Sequence, residues 1–208
     1  GANGQLGTEY RALSEAAGDD LVACSHAELD VTDRESVLQA VHQVSPDVIL
    51  HFGAWTNVDG CETDPQRAYQ VNALGTRHLA EAAAYQRARV VYVSSDYVFD
   101  GRGGGPNGGL PYTEWDTPNP ASQYGRSKLG GERELEAILG VDATIVRTSW
   151  VVGRHGANFV KTMLRLAANA EISPTVVDDQ LGCPTFTADL AAVLRDLAVR
   201  RLPGVFHV

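Results

Sequence analysis

Positive charge is scarce in this sequence. Seventeen Lys and Arg stand against 26 Asp and Glu, for a net charge of -9 at pH 7. A nucleic-acid or anionic-membrane surface needs a basic patch, so neither is expected as a partner. Cysteine is as sparse: Cys24, Cys61 and Cys183 are odd in number, widely spaced and without Cys-x-x-Cys or zinc spacing. That pattern predicts reduced thiols and a cytoplasmic setting. No apolar run approaches the length of a membrane span. The six histidines are scattered with no two at ligand spacing, which argues against an intrachain metal site. An initiating Met is absent as well, and the sequence stops within the apolar run 204–208. The chain is therefore expected to be an excerpt of a longer protein.

What is present favours an enzyme core. At 208 residues and 44% hydrophobic content, the chain can bury a sizeable interior. Short apolar runs alternate with helical patterns, the signature of a parallel sheet covered on both faces. Strands are expected at 20–24, 48–52, 89–94, 143–147, 175–177 and 204–208. Helices are expected at 8–17, 33–44, 65–86, 122–139, 158–168 and 188–200. Thr32 with Glu35 reads as a capping box, and Asp64-Pro65 as an N-cap followed by proline at the first helical position. The long Gly- and Pro-rich stretch 100–121 reads as a loop that covers substrate. The fold class is α/β, a doubly wound Rossmann-like parallel sheet with part of a smaller C-terminal substrate-binding region. Its dinucleotide-binding core spans 1–150, and 151–208 is shared between core and substrate region.

Three motifs carry the chemistry. Gly1, Gly4 and Gly7 open a helix in the pattern Gly-Ala-Asn-Gly-Gln-Leu-Gly. Glycines there allow a tight turn and close approach of backbone N–H groups to phosphate. The fingerprint calls for a preceding strand, expected ahead of Gly1. Tyr124 and Lys128 lie four residues apart, which on a helix stacks them on one face. An ammonium there would lower the pKa of the phenol and fit it for proton transfer. Ser95 closes an upstream β-rich run, where its hydroxyl could hold the same substrate oxygen. Ligands in such sheets bind beyond the carboxyl ends of the strands. Gly1–Gly7, Ser25, Asp30, Gly53, Ala54, Thr56, Ser95, Tyr124 and Lys128 all fall along that one rim.

The chain resembles the extended short-chain dehydrogenase/reductase family, and within it the dTDP-4-dehydrorhamnose reductases. The resemblance rests on the glycine pattern, on Glu-Leu-Asp-Val-Thr-Asp (28–33) and on Ala-Trp-Thr-Asn-Val-Asp (54–59). It continues through Val-Asn-Ala-Leu-Gly-Thr (71–76), Ser-Ser-Asp-Tyr-Val-Phe-Asp-Gly (94–101), Tyr-Gly-Arg-Ser-Lys (124–128), Arg-Thr-Ser-Trp-Val (147–151) and Asp-Gln-Leu-Gly-Cys-Pro-Thr (179–185). It implies NADPH-dependent reduction of the C4 carbonyl of a nucleotide sugar, with NADH accepted as well. Tyr124 would be the proton donor, Lys128 its partner and a ribose ligand, and Ser95 the hydroxyl on the substrate oxygen. Cofactor contacts would come from Gly1, Asn3, Gly4, Gln5, Leu6, Gly7, Ser25, Asp30, Val31, Gly53, Ala54 and Thr56, besides Tyr124 and Lys128. Substrate contacts would come from Thr56, Val58, Ser95, Asp96, Tyr97, Tyr124, Trp150 and Asn158. The resemblance also implies a homodimer and Mg2+ at an intersubunit site. Ser25-His26 stands where these reductases often carry Asp-Arg, which relieves repulsion against a 2′-phosphate. A 4-epimerase or dehydratase of the same superfamily is the nearest alternative, although Asp96 is followed by Tyr97 rather than by the second carboxylate of the dehydratases. A non-catalytic NADP-binding subunit is the alternative from another class.

Overall fold

The computed structural model describes residues 1–105, 108–169 and 173–208. Four parallel strands form its main sheet: β1 (Val48–His51), β2 (Arg89–Ser95), β3 (Thr144–Thr148) and β6 (Gly204–His207), side by side in that order. Each is short and carries an apolar stretch, Val- and Ile-rich in the first three, as buried parallel strands are. The register pairs Val91 with Thr144 and Thr144 with Gly204, so all four strands point the same way. A second, two-stranded parallel sheet joins β4 (Val151–Val152) to β5 (Thr185–Phe186).

Helices cover both faces. α1 (Gln5–Ala17) and α8 (Thr187–Arg200) pack on one side, where Tyr10, Leu190, Leu194 and Leu197 meet Val91 and Val146. α2 (Arg34–Val44), α5 (Gly75–Gln86) and α6 (Gln123–Leu139) lie on the other. There Ala80, Ala83 and Leu135 close over Val90, Tyr92 and Ile145, while Val37 and Val41 of α2 meet Leu79 and Ala82 of α5. The remaining helices are α3 (Val58–Thr63), α4 (Pro65–Tyr69) and α7 (Phe159–Ala167).

Several boundaries depart from expectation for identifiable reasons. Segment 20–24 forms no ladder, and Leu21 and Val22 are exposed; among the described residues it has no strand beside it. Segment 175–177 is likewise unpaired, and Val177 is exposed. α2 is capped by Asp33, whose carboxylate accepts from the Ser36 N–H, and not by a Thr32–Glu35 box. Thr32 instead donates to Asp30. The expected helix 65–86 is interrupted by a π-helical turn, Gln70–Leu74. The α3 helix and the β4–β5 pair were not legible, since neither is long enough to show a period. The loop 100–121, of which 106 and 107 lie outside the described residues, folds against the sheet end. Tyr112 stacks on Phe99 at 4.1 Å between centroids, and Glu114 accepts from the His207 N–H.

α6 positions the chemistry, so its anchorage matters most. Ser122 caps it by accepting from the Gly125 N–H. Gly125 lies so close to the Tyr97 carbonyl that a Cβ would collide with it. Further along, Glu132 and Arg147 of β3 form a buried bidentate pair at 2.9 and 2.6 Å. The guanidinium also lies over the Phe99 ring, while its Nη1 has no partner among the described residues. Removing one half of a buried pair strands the other charge without water. Glu132→Gln should therefore destabilise the protein by ~3–5 kcal/mol. Urea denaturation would measure it, and a loss below ~1 kcal/mol would show that the pair is well solvated.

Candidate active site

A single cleft of about 1090 Å³ runs along the carboxyl ends of the strands. At one end lie Gly1, Gly4 and Gly7, with Phe52 and Gly53 after β1. A Cβ on Gly1 would stand 2.6 Å from the Phe52 carbonyl carbon, and one on Gly7 would collide with the Gly1 carbonyl oxygen. Only glycine permits this turn, and it leaves the start of α1 open to the cleft. Such a cradle of backbone N–H groups suits a dinucleotide pyrophosphate. His26, Leu29, Asp30 and Val31 line the cleft beside it. Asp30 is held by the Thr32 N–H and hydroxyl at 2.9 and 2.8 Å, which lowers its pKa.

Two of the expected cofactor-binding residues are not on the cleft lining. Ser25 does not line the cleft; its N–H donates to Glu28 at 2.7 Å. Asn3 does not line it either, and its side chain accepts from Arg11. The neighbouring His26 does reach the cleft, a position that spacing alone could not separate from Ser25.

The reacting centre lies where β2 ends. Ser95 is buried, donates to Asp96 Oδ1 at 2.9 Å and accepts from the Tyr97 N–H at 3.2 Å. Burial raises the pKa of Asp96 against these hydrogen bonds. Tyr124 and Lys128 approach from the first turns of α6, both buried. Lys128 Nζ donates to the Val93 carbonyl at 2.8 Å and lies 4.2 Å above the Tyr92 ring. Burial brings its pKa down to about 7.

The phenol does not behave as its spacing suggested. Burial raises the pKa of Tyr124; the Ser95 hydrogen bond opposes that rise, and nearby Asp96 adds to it. Lys128 spends its proton on Val93 and the Tyr92 face, so desolvation of the phenolate dominates. The hydroxyl keeps its proton at neutral pH and is ready to give it away.

The rest of the cleft is lined by Trp55, Thr56, Val58, Arg67, Tyr97, Trp150 and Asn158, among others. Trp150 is held in a left-handed conformation (φ 44°). The carbonyl of Trp150 accepts from Thr185, and the Ser149 hydroxyl donates to the Cys183 carbonyl. Asn158 caps α7 and donates to the Gln5 side chain at 3.0 Å, tying this end to the glycine turn. Val176, Val177, Gln180 and Pro184 complete the wall. Among the described residues of the loop 100–121 none lines the cleft, whereas Val176, Val177, Gln180 and Pro184 do.

Asn72, which sequence reading passed over as a motif letter, links two parts of the site. Fully buried in the π-helical turn, it accepts from the Trp55 N–H, donates to the Trp55 carbonyl, and donates to Ser127 Oγ at 2.9 Å. Ser127 in turn donates to the Tyr124 carbonyl. The extra residue of the π turn is the physical signal that this stretch has been bent for a purpose. No group of His, Cys, Asp or Glu among the described residues could hold a metal ion.

Comparison with known proteins agrees with this geometry. The family model for the RmlD substrate binding domain matches residues 1–208. The dTDP-4-dehydrorhamnose reductase of Aggregatibacter actinomycetemcomitans is 42% identical over 98% of this chain and 67% of its own length. The enzyme of that name from Mycobacterium tuberculosis H37Rv is 43% identical over 100% of this chain and 67% of its own. A crystal structure of dTDP-4-dehydrorhamnose reductase from Bacillus anthracis in complex with NADP superposes with a TM-score of 0.91 at 39% identity, covering 100% of this chain and 72% of that one. The UDP-glucose 4-epimerase of Thermus thermophilus, at 23% identity and a TM-score of 0.76, shares the fold alone. With its glycine turn, its Ser95–Tyr124–Lys128 centre and these relatives, the chain belongs to the dTDP-4-dehydrorhamnose reductase family of Rossmann-like oxidoreductases.

Proposed function

We infer that the protein reduces the C4 carbonyl of dTDP-4-dehydro-L-rhamnose to give dTDP-L-rhamnose, with NADPH as reductant. The observation that carries this reading is the convergence of the glycine turn and the Ser95–Tyr124–Lys128 centre on one cleft. The relative crystallised with NADP supports the cofactor. Gly1, Gly4, Gln5, Leu6 and Gly7 would hold its pyrophosphate end, Asp30 and Val31 its adenosine end, and Gly53, Ala54, Thr56 and Lys128 its nicotinamide riboside. The bound cofactor supplies the hydride.

The chain's own residues manage the proton. As charge develops on the C4 oxygen, the Tyr124 hydroxyl gives it a proton, forming the O–H of the product. Even with the Tyr124 pKa raised, the phenolate is a weaker base than the alkoxide it protonates, so the transfer runs downhill. Lys128 stands one turn along α6, where its ammonium, anchored on the Val93 carbonyl, would hold the ribose and fix the helix turn that carries Tyr124. Ser95, whose one proton goes to Asp96 here, would turn its hydroxyl from Asp96 to the same oxygen when substrate binds. Thr56, Val58, Asp96, Tyr97, Trp150 and Asn158 would hold the sugar and its nucleotide. Residues 1–150 would form the dinucleotide-binding core, and 151–208 would be shared between that core and the substrate-binding region. In this reading the protein works in the cytoplasm.

A dehydratase is disfavoured because Tyr97, a phenol, follows Asp96 and no second carboxylate among the described residues lines that wall. An epimerase returns its hydride, whereas this reading requires one NADPH consumed per sugar.

Tyr124→Phe should lower kcat by ~10²–10⁴-fold while NADPH affinity stays close to wild type, because the proton is needed only as the oxyanion forms. Steady-state NADPH oxidation with the ketosugar measures this, and a variant keeping most of its kcat would remove Tyr124 from the role. The pH dependence follows from Lys128. With its pKa lowered to about 7, the ammonium is intact below that pH and lost above it. The profile of kcat/KM, which reports the free enzyme, should be level near pH 6 and fall as pH rises through 7–8. Lys128→Arg keeps its charge, so the residual activity of that variant should lack the alkaline fall. A wild-type profile flat from pH 6 to 9 would show that the ammonium is not required.

A further inference from the structure

We propose that Arg67, stacked on Trp55, is a specificity-determining residue that takes the diphosphate of the nucleotide-sugar substrate. The proposal rests on the reductase reading above and names the group that would hold the charged half of its substrate. Arg67 lies on α4 with its guanidinium carbon 4.7 Å from the centroid of the Trp55 ring. Both residues line the cleft. No carboxylate among the described residues pairs with this guanidinium; the nearby Asp64 accepts from the Arg67 backbone N–H to cap the helix.

The other cations of the cleft are placed for other work. Lys128 Nζ is committed to the Val93 carbonyl, and His26 lies at the nucleotide end beside Asp30. Arg67 is thus the unpaired guanidinium on the substrate side of a protein whose net charge is -9. An anionic substrate must overcome that overall repulsion, and a local cation in the mouth is the group that can do it.

The geometry suits an oxyanion. Stacking occupies the flat face of a guanidinium and leaves its in-plane N–H donors free for bidentate bonds to phosphate. The platform itself is rigid: the Trp55 N–H and carbonyl are both held by buried Asn72. Its ring packs against the cluster of Cys61, Ala68 and Tyr124. The guanidinium is therefore fixed relative to the proton donor, so a diphosphate held there sets the reach of the sugar towards Tyr124.

The test is calorimetric titration of the protein, preloaded with NADP+, with dTDP and separately with thymidine. Arg67→Gln should weaken dTDP about tenfold or more and leave thymidine within twofold, since only the diphosphate meets the guanidinium. Arg67→Glu should weaken dTDP further, and rising salt should weaken wild-type dTDP binding more than that of either variant. In turnover the loss should fall on KM for the ketosugar. Because dTDP binding needs no chemistry, the result stands apart from whether the wild type reduces the ketosugar. Unchanged dTDP affinity in Arg67→Gln would overturn the proposal. So would an equal loss of NADPH affinity in that variant, which would assign the cation to the cofactor.

Discussion

The hydrogen bond from Lys128 Nζ to the Val93 carbonyl fixes the relation between helix α6 and the end of strand β2, and the rest of the site depends on that relation. A buried ammonium is tolerable only with partners, and here the Val93 carbonyl and the Tyr92 face supply them. The register of α6 follows, since sliding it would leave the charge without either. Gly125 against Tyr97 at one end of the helix and the Glu132–Arg147 pair further along hold the same alignment. Tyr124 is thereby carried to the Ser95 end of the strand. Its phenol is largely buried at the cleft wall, and that burial keeps it protonated.

A second linkage joins the loop after β1 to this helix. Asn72 sits in the π-helical turn and bridges Trp55 to Ser127, which in turn bonds the Tyr124 carbonyl. Substrate wall and proton donor are thus parts of one hydrogen-bonded unit. Close by, the buried His51 bonds Thr76 and stacks on Tyr92, and burial drops its pKa to about 3, so it stays neutral. The layer beneath the cleft therefore carries the Lys128 charge beside a neutral imidazole.

Much of this was legible in the sequence, and the failures have physical causes. The four paired strands each carry a short apolar stretch, as a buried parallel sheet requires, and each was located to within one or two residues. Segments 20–24 and 175–177 have the same composition but no ladder partner among the described residues, and strand identity is a property of pairs, not of runs. Asp33 took the cap from Thr32 because its carboxylate accepts from Ser36, a choice that a four-residue pattern cannot make. Ser25 and Asn3 sit beside residues that reach the cleft, and a one-residue difference in direction is invisible before the turn is built. The direction of the Tyr124 shift was misjudged because spacing reveals a neighbour's charge but not how far both groups are removed from water. Arg67 carries no signal in one dimension; only the fold brings it over Trp55.

The central claim is that this cleft delivers a hydride to a sugar carbonyl while Tyr124 delivers the proton. The most direct measurement supplies NADPH doubly deuterated at C4 of the nicotinamide together with dTDP-4-dehydro-L-rhamnose, and analyses the product by NMR and mass spectrometry. One deuterium at C4 of the sugar, with one NADP+ released per sugar reduced, is the result predicted here. Recovery of undeuterated sugar, or turnover without net oxidation of NADPH, would contradict the account.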